Sequence, residues 1–154
     1  MKKILLLLFI SLSSRAEVTL IGEPTSLYDS LTKEYTESVN KKISDDVYYI
    51  NVASMSLTEA KSSIKLIKDK VTTVIDMTEV YSEAERTKFS AKIIGLGVDT
   101  PVIVVGEIQG EKAINVVDVN IKDVNGNSIN NDGEAQKSLT SSLVHVLERF
   151  EGKQ

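Results

Sequence analysis

The side chains that most often carry chemistry are scarce in this sequence of 154 residues, which contains no cysteine and one histidine, His145. Without cysteine the chain cannot form disulfides, thiol redox centres, cysteine-ligated zinc sites or iron–sulfur clusters. A Ser-His-Asp triad would depend on His145, and sites with several histidine ligands are excluded. Because His145 falls outside the apolar stripe of the last predicted helix, we expect it to face solvent.

One carboxylate-rich segment resembles a calcium-binding loop. From Asp123 to Glu134, oxygen-bearing side chains occupy the first, third, fifth and twelfth positions, as calcium requires. However, Gly126 is at the fourth position, Ser128 replaces the glycine of such loops, and a strand precedes the segment. Asn-Gly with neighbouring asparagines is typical of a turn, so we predict a turn, with no metal ion and no other cofactor.

The net charge of the chain argues against one class of partner, nucleic acid. The formal net charge is −4 and the isoelectric point is near 5.1, values that argue against binding to nucleic acid. Four lysines nevertheless make one helix basic: Lys61, Lys65, Lys68 and Lys70. A solvated helix face is the simpler interpretation, and contact with an acidic partner is the alternative.

The first sixteen residues have the pattern of a Sec-type signal peptide. Lys2 and Lys3 precede an apolar stretch from Ile4 to Leu12, and Ser14 and Ala16 form a small-x-small cleavage site. The apolar stretch is shorter than the roughly 20 residues of a membrane span. Cleavage after Ala16 would leave 138 residues with 15 basic and 22 acidic side chains, a net charge of −7. We therefore predict a periplasmic protein with no membrane span after cleavage.

Apolar spacing and capping signals predict one domain over residues 17–154, with the element order β-α-β-α-β-α-β-β-α. Runs of β-branched residues predict strands at 18–21, 47–52, 71–76, 102–105 and 117–121, with a turn at 106–110 before the last strand. The run at 71–76 would also continue the preceding helical stripe, so a helix is the alternative there. The order predicts an α/β fold with right-handed parallel crossovers and a final antiparallel hairpin.

This element order, together with the segment Gly97–Val105, resembles the thioredoxin fold. The segment is similar to the part of that family in which a cis-proline precedes the central antiparallel strand. The resemblance implies a central mixed sheet with helices on both faces and a cis peptide bond between Thr100 and Pro101. Such a bond would turn the Thr100 backbone outward, where it can pair with an extended peptide. A trans proline at the start of a strand is the alternative.

The position of the thioredoxin redox pair is occupied here by residues without thiols. In thioredoxins the second strand ends at a redox pair on the next helix, whose dipole stabilises a thiolate. The corresponding segment is Ala53–Glu59, with Ser56 and Glu59 near the two cysteine positions. Their spacing is that of a capping box. The resemblance therefore implies a redox-inactive protein, and we expect no enzymatic activity.

A narrower resemblance is to thioredoxin-like proteins of bacterial conjugation and type IV secretion, namely the TrbC family of type-F pilus assembly proteins and a family encoded on integrating conjugative elements. Val52–Ser56 is similar to a Ser-Met-Pro segment of the first family, with serine in place of proline, and Asp99–Val104 is similar to its later Val-Pro strand. The resemblance implies an accessory factor for conjugative pilus or secretion-channel assembly that binds other periplasmic or secretion-apparatus proteins.

We expect the protein-binding surface where two loops converge, at Ser54, Met55, Ser56, Asp99, Thr100 and Pro101. One alternative is a secreted small-ligand-binding protein or carboxylate-based α/β enzyme of an unrelated family, which a pocket with two converging acids would favour. A structural or inhibitory secreted protein is a further alternative.

Overall fold

The computed structural model describes residues 18–37, 47–67, 71–118 and 132–151, and it has the predicted order of strands and helices. The strands are β1 (Val18–Ile21), β2 (Val47–Asn51), β3 (Thr72–Asp76), β4 (Val102–Ile108) and β5 (Glu111–Val117). The helices are α1 (Ser26–Glu37), α2 (Leu57–Leu66), α3 (Glu83–Ile94) and α4 (Asp132–Phe150). The ambiguous run at 71–76 forms a strand that is buried along its whole length, as expected of a central strand covered on both faces.

Side-chain caps fix where three helices begin. Thr25 accepts a hydrogen bond from the N–H of Tyr28 at 3.1 Å at the start of α1. At the start of α2, Ser56 accepts from the N–H of Glu59 at 3.2 Å, and the Glu59 carboxylate accepts from the N–H of Ser56 at 2.7 Å. The predicted capping box is therefore confirmed. Ser82 caps α3 through its hydroxyl oxygen alone, which accepts a hydrogen bond from the N–H of Glu85 at 3.4 Å.

The five strands form one mixed sheet whose spatial order follows the chain, β1-β2-β3-β4-β5. β1, β2 and β3 are parallel, whereas β4 and β5 each run antiparallel to the strand before them. The three parallel strands therefore end on the side of the sheet where β4 begins. We call this side the carboxyl end.

Alternate side chains of the strands point to opposite faces of the sheet and form two cores. The core of the first face joins the sheet to α1 and α4, and its members include Leu31, Tyr49, Val74, Val104 and Leu143. The core of the second face joins the sheet to α2 and α3, and its members include Ile50, Ala60, Ile75 and Ile103, with Phe89 packed against them. Helices therefore cover both faces, as predicted.

The placement of α1 and α2 differs from the expected connectivity. Each helix joins two adjacent parallel strands, and both connections advance across the sheet in the same direction. Because α1 lies on the first face and α2 on the second, the two crossovers have opposite hands. The expectation that both are right-handed is wrong for one of them. The α/β class with a five-stranded mixed sheet is thus confirmed, but the thioredoxin-like topology is not.

The hairpin between β4 and β5 turns at Gln109 and Gly110, later than the centre of the predicted turn. Their φ angles of 54° and 82° are the left-handed values that a two-residue hairpin turn requires. Gly106 lies within β4, where a Cβ would come within 2.9 Å of a ring carbon of Phe150 in α4. β5 therefore spans Glu111–Val117 instead of the predicted 117–121, and residues 119–121 lie outside the described ranges.

Candidate functional site

Loops attached to four strands lie at the carboxyl end of the sheet. They contain the predicted binding residues in two groups of three, 54–56 and 99–101, which we call the two triplets. Residues 54–56 follow β2, and residues 99–101 precede β4. Because β3 lies between β2 and β4 in the sheet, the two triplets are placed on either side of the end of β3.

The first triplet is tied to the loop that follows β1. Ser54 Oγ accepts a hydrogen bond from the N–H of Glu23 at 3.0 Å and donates to a carbonyl at the end of β2 at 2.9 Å. Gly22, with φ of +96°, makes this approach possible, since a Cβ there would collide with Ser54 Oγ. Met55 is half-buried against the core of the second face, and Ser56 is exposed.

The second triplet is tied to α3 and to β5. The Asp99 carboxylate accepts a hydrogen bond from Arg86 Nε at 2.6 Å, and Arg86 Nη1 donates to the carbonyl of Val80 at 2.7 Å. Thr100 is buried, and its hydroxyl donates to a carbonyl of β5 at 3.0 Å. These contacts hold the segment that leads into β4.

The peptide bond between Thr100 and Pro101 is trans, so the expectation of a cis-proline is wrong. Proline at the start of a strand costs no ladder hydrogen bond, which makes the trans arrangement compatible with the sheet. The Pro101 carbonyl accepts a hydrogen bond from the N–H of Met77 at 2.7 Å. It is therefore engaged inside the protein, and the outward turn of the backbone that a cis bond would give is absent at this position.

Between the two triplets, β3 ends in a buried aspartate that no motif in the sequence marks. Asp76 is 0% exposed. Its Oδ2 accepts hydrogen bonds from Thr25 Oγ1 at 2.6 Å and from Tyr49 Oη at 2.5 Å. Its Oδ1 accepts from the N–H and the hydroxyl of Thr78 at 2.8 and 2.6 Å. These donors compensate the carboxylate for its lost hydration, and we call the four residues the Asp76 network.

Tyr49 is held in its neutral form within this network. Burial, together with the negative charge of Asp76, raises the pKa of the Tyr49 phenol far above its ordinary value of 10.0. The ring packs edge-on against Tyr28 of α1, with centroids 5.2 Å apart. The Asp76 network therefore joins β2, β3 and the start of α1 into one rigid base beneath the carboxyl end.

Four exposed glutamates lie around this base. Glu23, Glu79, Glu83 and Glu85 are exposed. Tyr81, in the loop between β3 and α3, is 88% exposed, which is high for a large aromatic side chain. The carboxyl end thus presents an ordered base, an acidic rim and one protruding ring, features that suit contact with another macromolecule.

The remaining chemical candidates lie elsewhere. His145 is exposed on α4, as predicted, and Lys61 and Lys65 are exposed on α2. In the ranges that the structure describes, no three His, Asp or Glu side chains are grouped as a metal site would need.

Several predictions fall on residues outside the described ranges. These are the signal peptide at 1–16, the lysines Lys68 and Lys70, and residues 123–131 of the calcium-like segment. Among the helices that are described, none is both long and apolar enough to span a membrane.

A comparison with known proteins shows the family to which this chain belongs. The chain is 33% identical over 145 residues to the cytolysin secretion protein of Vibrio vulnificus (strain CMCP6), in an alignment that covers 90% of this chain and 84% of the relative. The chain belongs to the cytolysin secretion protein family. Because the alignment covers most of both chains, the relationship concerns the whole fold and not one segment. No protein-family model matches the chain, and no solved structure matches it.

Proposed function

We propose that this protein is a non-enzymatic, periplasmic binding protein that assists the secretion of another protein, and that it binds through the carboxyl end of its sheet. The observation that carries the proposal is the relationship, over 90% of the chain, to a protein named for cytolysin secretion. The protein assisted here is then an exported cytolysin-like toxin or a component of its export apparatus.

The geometry of the carboxyl end supports a binding role. Met55 and Asp99 are accessible on the two sides of the end of β3, and Tyr81 protrudes beside them. The Asp76 network and the Arg86–Asp99 ion pair hold these loops in place. A surface that is ordered before its partner arrives loses less conformational entropy on binding.

Charge indicates the chemistry of the partner surface. The rim of the carboxyl end is acidic, and the chain without its first sixteen residues carries a net charge of −7. A partner of complementary charge presents lysine or arginine side chains to the rim and an apolar recess to Tyr81.

We also propose that the protein has no enzymatic activity. Both oxygens of Asp76 already accept hydrogen bonds, and the side chains of Ser54 and Ser56 are engaged with backbone groups. Because these groups are engaged, Asp76 and the two serines do not supply a free carboxylate or nucleophile at this site, which supports a binding role.

A role in conjugative pilus or type IV secretion assembly is a narrower form of the same proposal. It depends on the similarity of 52–56 and 99–104 to conjugation proteins, whereas the relative that spans most of the chain is named for toxin secretion. We therefore favour toxin export. Residues 1–16 would serve as the signal that takes the chain to the same compartment.

Deletion of the gene, followed by complementation, tests the proposal. Loss of the protein should reduce a secreted cytolysin in the medium without reducing its synthesis, and the wild-type gene should restore it. Tyr81→Ala and Asp99→Lys should each weaken binding to the secreted partner by roughly tenfold, whereas Leu96→Ala, which truncates another exposed apolar side chain, should not. Normal secretion by the deletion strain would refute the proposal.

A further inference from the structure

The loop between β3 and α3 is held on both sides of its most exposed residue, Tyr81. Before Tyr81, the side chain of Val80 is buried in the core of the second face, and its N–H donates to the carbonyl of Met77 at 2.9 Å. After Tyr81, the hydroxyl of Ser82 caps α3 by accepting from the N–H of Glu85. A side chain that is 88% exposed is thus carried by a backbone whose neighbouring residues are both fixed.

Arg86 joins this loop to the segment that leads into β4. Its Nη1 donates to the Val80 carbonyl at 2.7 Å, and its Nε donates to Asp99 Oδ1 at 2.6 Å. The Val80 carbonyl belongs to the peptide bond that Val80 forms with Tyr81. Because the guanidinium group is planar, the bond at Nε also fixes the direction in which Nη1 points.

We infer that Arg86 is a positioning residue of the proposed binding surface, and that Asp99 acts by orienting Arg86. The contacts run from the Asp99 carboxylate to Arg86, from Arg86 to the Val80 carbonyl, and from there along the backbone to Tyr81. The inference rests on the proposed function, because it assumes that Tyr81 contacts the partner. The role of Asp99 is then to hold Tyr81 in place, and its carboxylate does not have to meet a cation of the partner.

The burial and the geometry of Arg86 distinguish this ion pair from an ordinary surface pair. Exposed ion pairs contribute little, since solvent screens them and long side chains lose entropy in forming them. Here the Arg86 side chain is only 19% exposed, and a second hydrogen bond to the backbone holds it. A lysine carries its donors on one nitrogen and cannot reproduce a fork that reaches a carboxylate and a carbonyl at two separate nitrogens. We therefore expect Arg86→Lys to behave as a loss of function.

Nitrogen-15 relaxation of the chain without its first sixteen residues measures whether Arg86 orders the backbone at Tyr81. The amide order parameters of Tyr81 and Ser82 should be about 0.85 in the wild type and should fall toward about 0.6 in Arg86→Ala and Arg86→Lys. Asp99→Ala should have the same effect, and Asp99→Asn a smaller one, because an amide oxygen can still accept from Nε. Lys88→Ala is the matched control, since it removes an exposed cation from the same helix.

Secretion of the cytolysin by the deletion strain, complemented with each variant, tests whether this order is used. Arg86→Ala should reduce secretion about as much as Tyr81→Ala, and the double variant should secrete no less than Tyr81→Ala alone, because Arg86 acts through Tyr81. A role limited to stability would lower secretion further in the double variant. Asp99→Asn should secrete nearly as well as the wild type, whereas direct contact between the Asp99 carboxylate and a cation would make it as poor as Asp99→Ala.

Unchanged order parameters at Tyr81 in both Arg86 variants would overturn the inference, whatever the protein binds. So would a double variant that secretes clearly less than either single variant, or an Asp99→Asn variant that secretes as poorly as Asp99→Ala. Normal secretion by the deletion strain would refute the proposed function and with it the role in binding, while the order parameters would separately decide whether Arg86 orders Tyr81. Circular dichroism of each variant establishes that the fold is unchanged.

Discussion

The phenol of Tyr49 donates a hydrogen bond to the carboxylate of Asp76 over 2.5 Å, and neither side chain is exposed to solvent. This bond links the middle of β2 to the last residue of β3, at the carboxyl end. A buried carboxylate without hydrogen-bond donors is energetically costly. The fixed positions of the loops in the proposed binding surface therefore depend on this contact.

Replacing Tyr49 with phenylalanine should destabilise the protein by about 1–3 kcal/mol, because the change removes one donor from a buried, charged acceptor. Urea denaturation measures the free energy of unfolding. Tyr48→Phe is the matched control, since Tyr48 is half-buried and lies outside the Asp76 network. Equal losses in the two variants would show that the Tyr49 hydroxyl makes no special contribution.

The Tyr49 phenol should stay protonated in alkaline solution for as long as the protein is folded. Burial and the charge of Asp76 raise the pKa of Tyr49 above 10.0. A raised pKa in the folded state gives stability that is fully present below the unfolded value of about 10 and is lost as the pH rises above it. Phenolate absorbance should therefore show a step that coincides with alkaline unfolding, and this step should be smaller in Tyr49→Phe.

Removing the cap of α2 by Ser56→Ala should cost about 1 kcal/mol of stability, since the N–H of Glu59 loses its acceptor. Thermal or urea unfolding measures the loss. Ser54→Ala is a useful comparison, because Ser54 holds the neighbouring loop and does not cap the helix. If Ser56→Ala matched the wild type in stability, the capping box would be energetically neutral.

The same capping box predicts a pH dependence. Hydrogen bonds from Ser56 lower the pKa of the Glu59 carboxyl below 4.5. A lowered pKa in the folded state gives stability that is present above the unfolded value and is lost as the pH falls through the folded value. The wild type should therefore exceed Glu59→Gln in stability at neutral pH, and the difference should shrink below pH 4.5. A difference that stays constant across this range would contradict the prediction.

Gly106→Ala should destabilise the protein by about 1–3 kcal/mol, because the added methyl group overpacks the contact between β4 and α4. The new Cβ would lie 2.9 Å from Phe150 Cδ1 and 3.3 Å from the backbone of Thr72. Gly97→Ala is the matched control, because its Cβ would meet its nearest atom, in Thr87, at 3.4 Å. Denaturation curves of the two variants should separate clearly, and equal stabilities would show that the contact at Gly106 adjusts freely.

The elements of this fold were predictable because their signals are local. The Ser56–Glu59 capping box spans one helical turn, and Val102–Val105 is an unbroken β-branched run. The hairpin turn was harder to place, because Gln109 is not a usual residue at positive φ and Gly106 suggested an earlier turn. Glycine is needed at position 106 because the ring of Phe150 packs close against its backbone. Phe150 is distant in the sequence, so no local pattern predicts this contact.

The order of the strands and the base of the candidate site were not predictable in the same way. Which strand lies beside which, and on which face each helix packs, depends on contacts between distant segments. The same holds for Asp76, whose partners Thr25 and Tyr49 are 51 and 27 residues away. A partial signal existed in Thr78, two residues after an aspartate that ends an apolar strand, which is the spacing of an Asx turn.

The packing of α1 against α4 determines when one core of the protein can form during synthesis. These helices close the core of the first face together, and Ser26 at the start of α1 contacts Gln136 in α4, 110 residues later. During synthesis, the first face of the sheet therefore stays uncovered until α4 has been made. In the proposed export across a membrane, this late closure of the core would delay folding of the chain until α4 has left the ribosome.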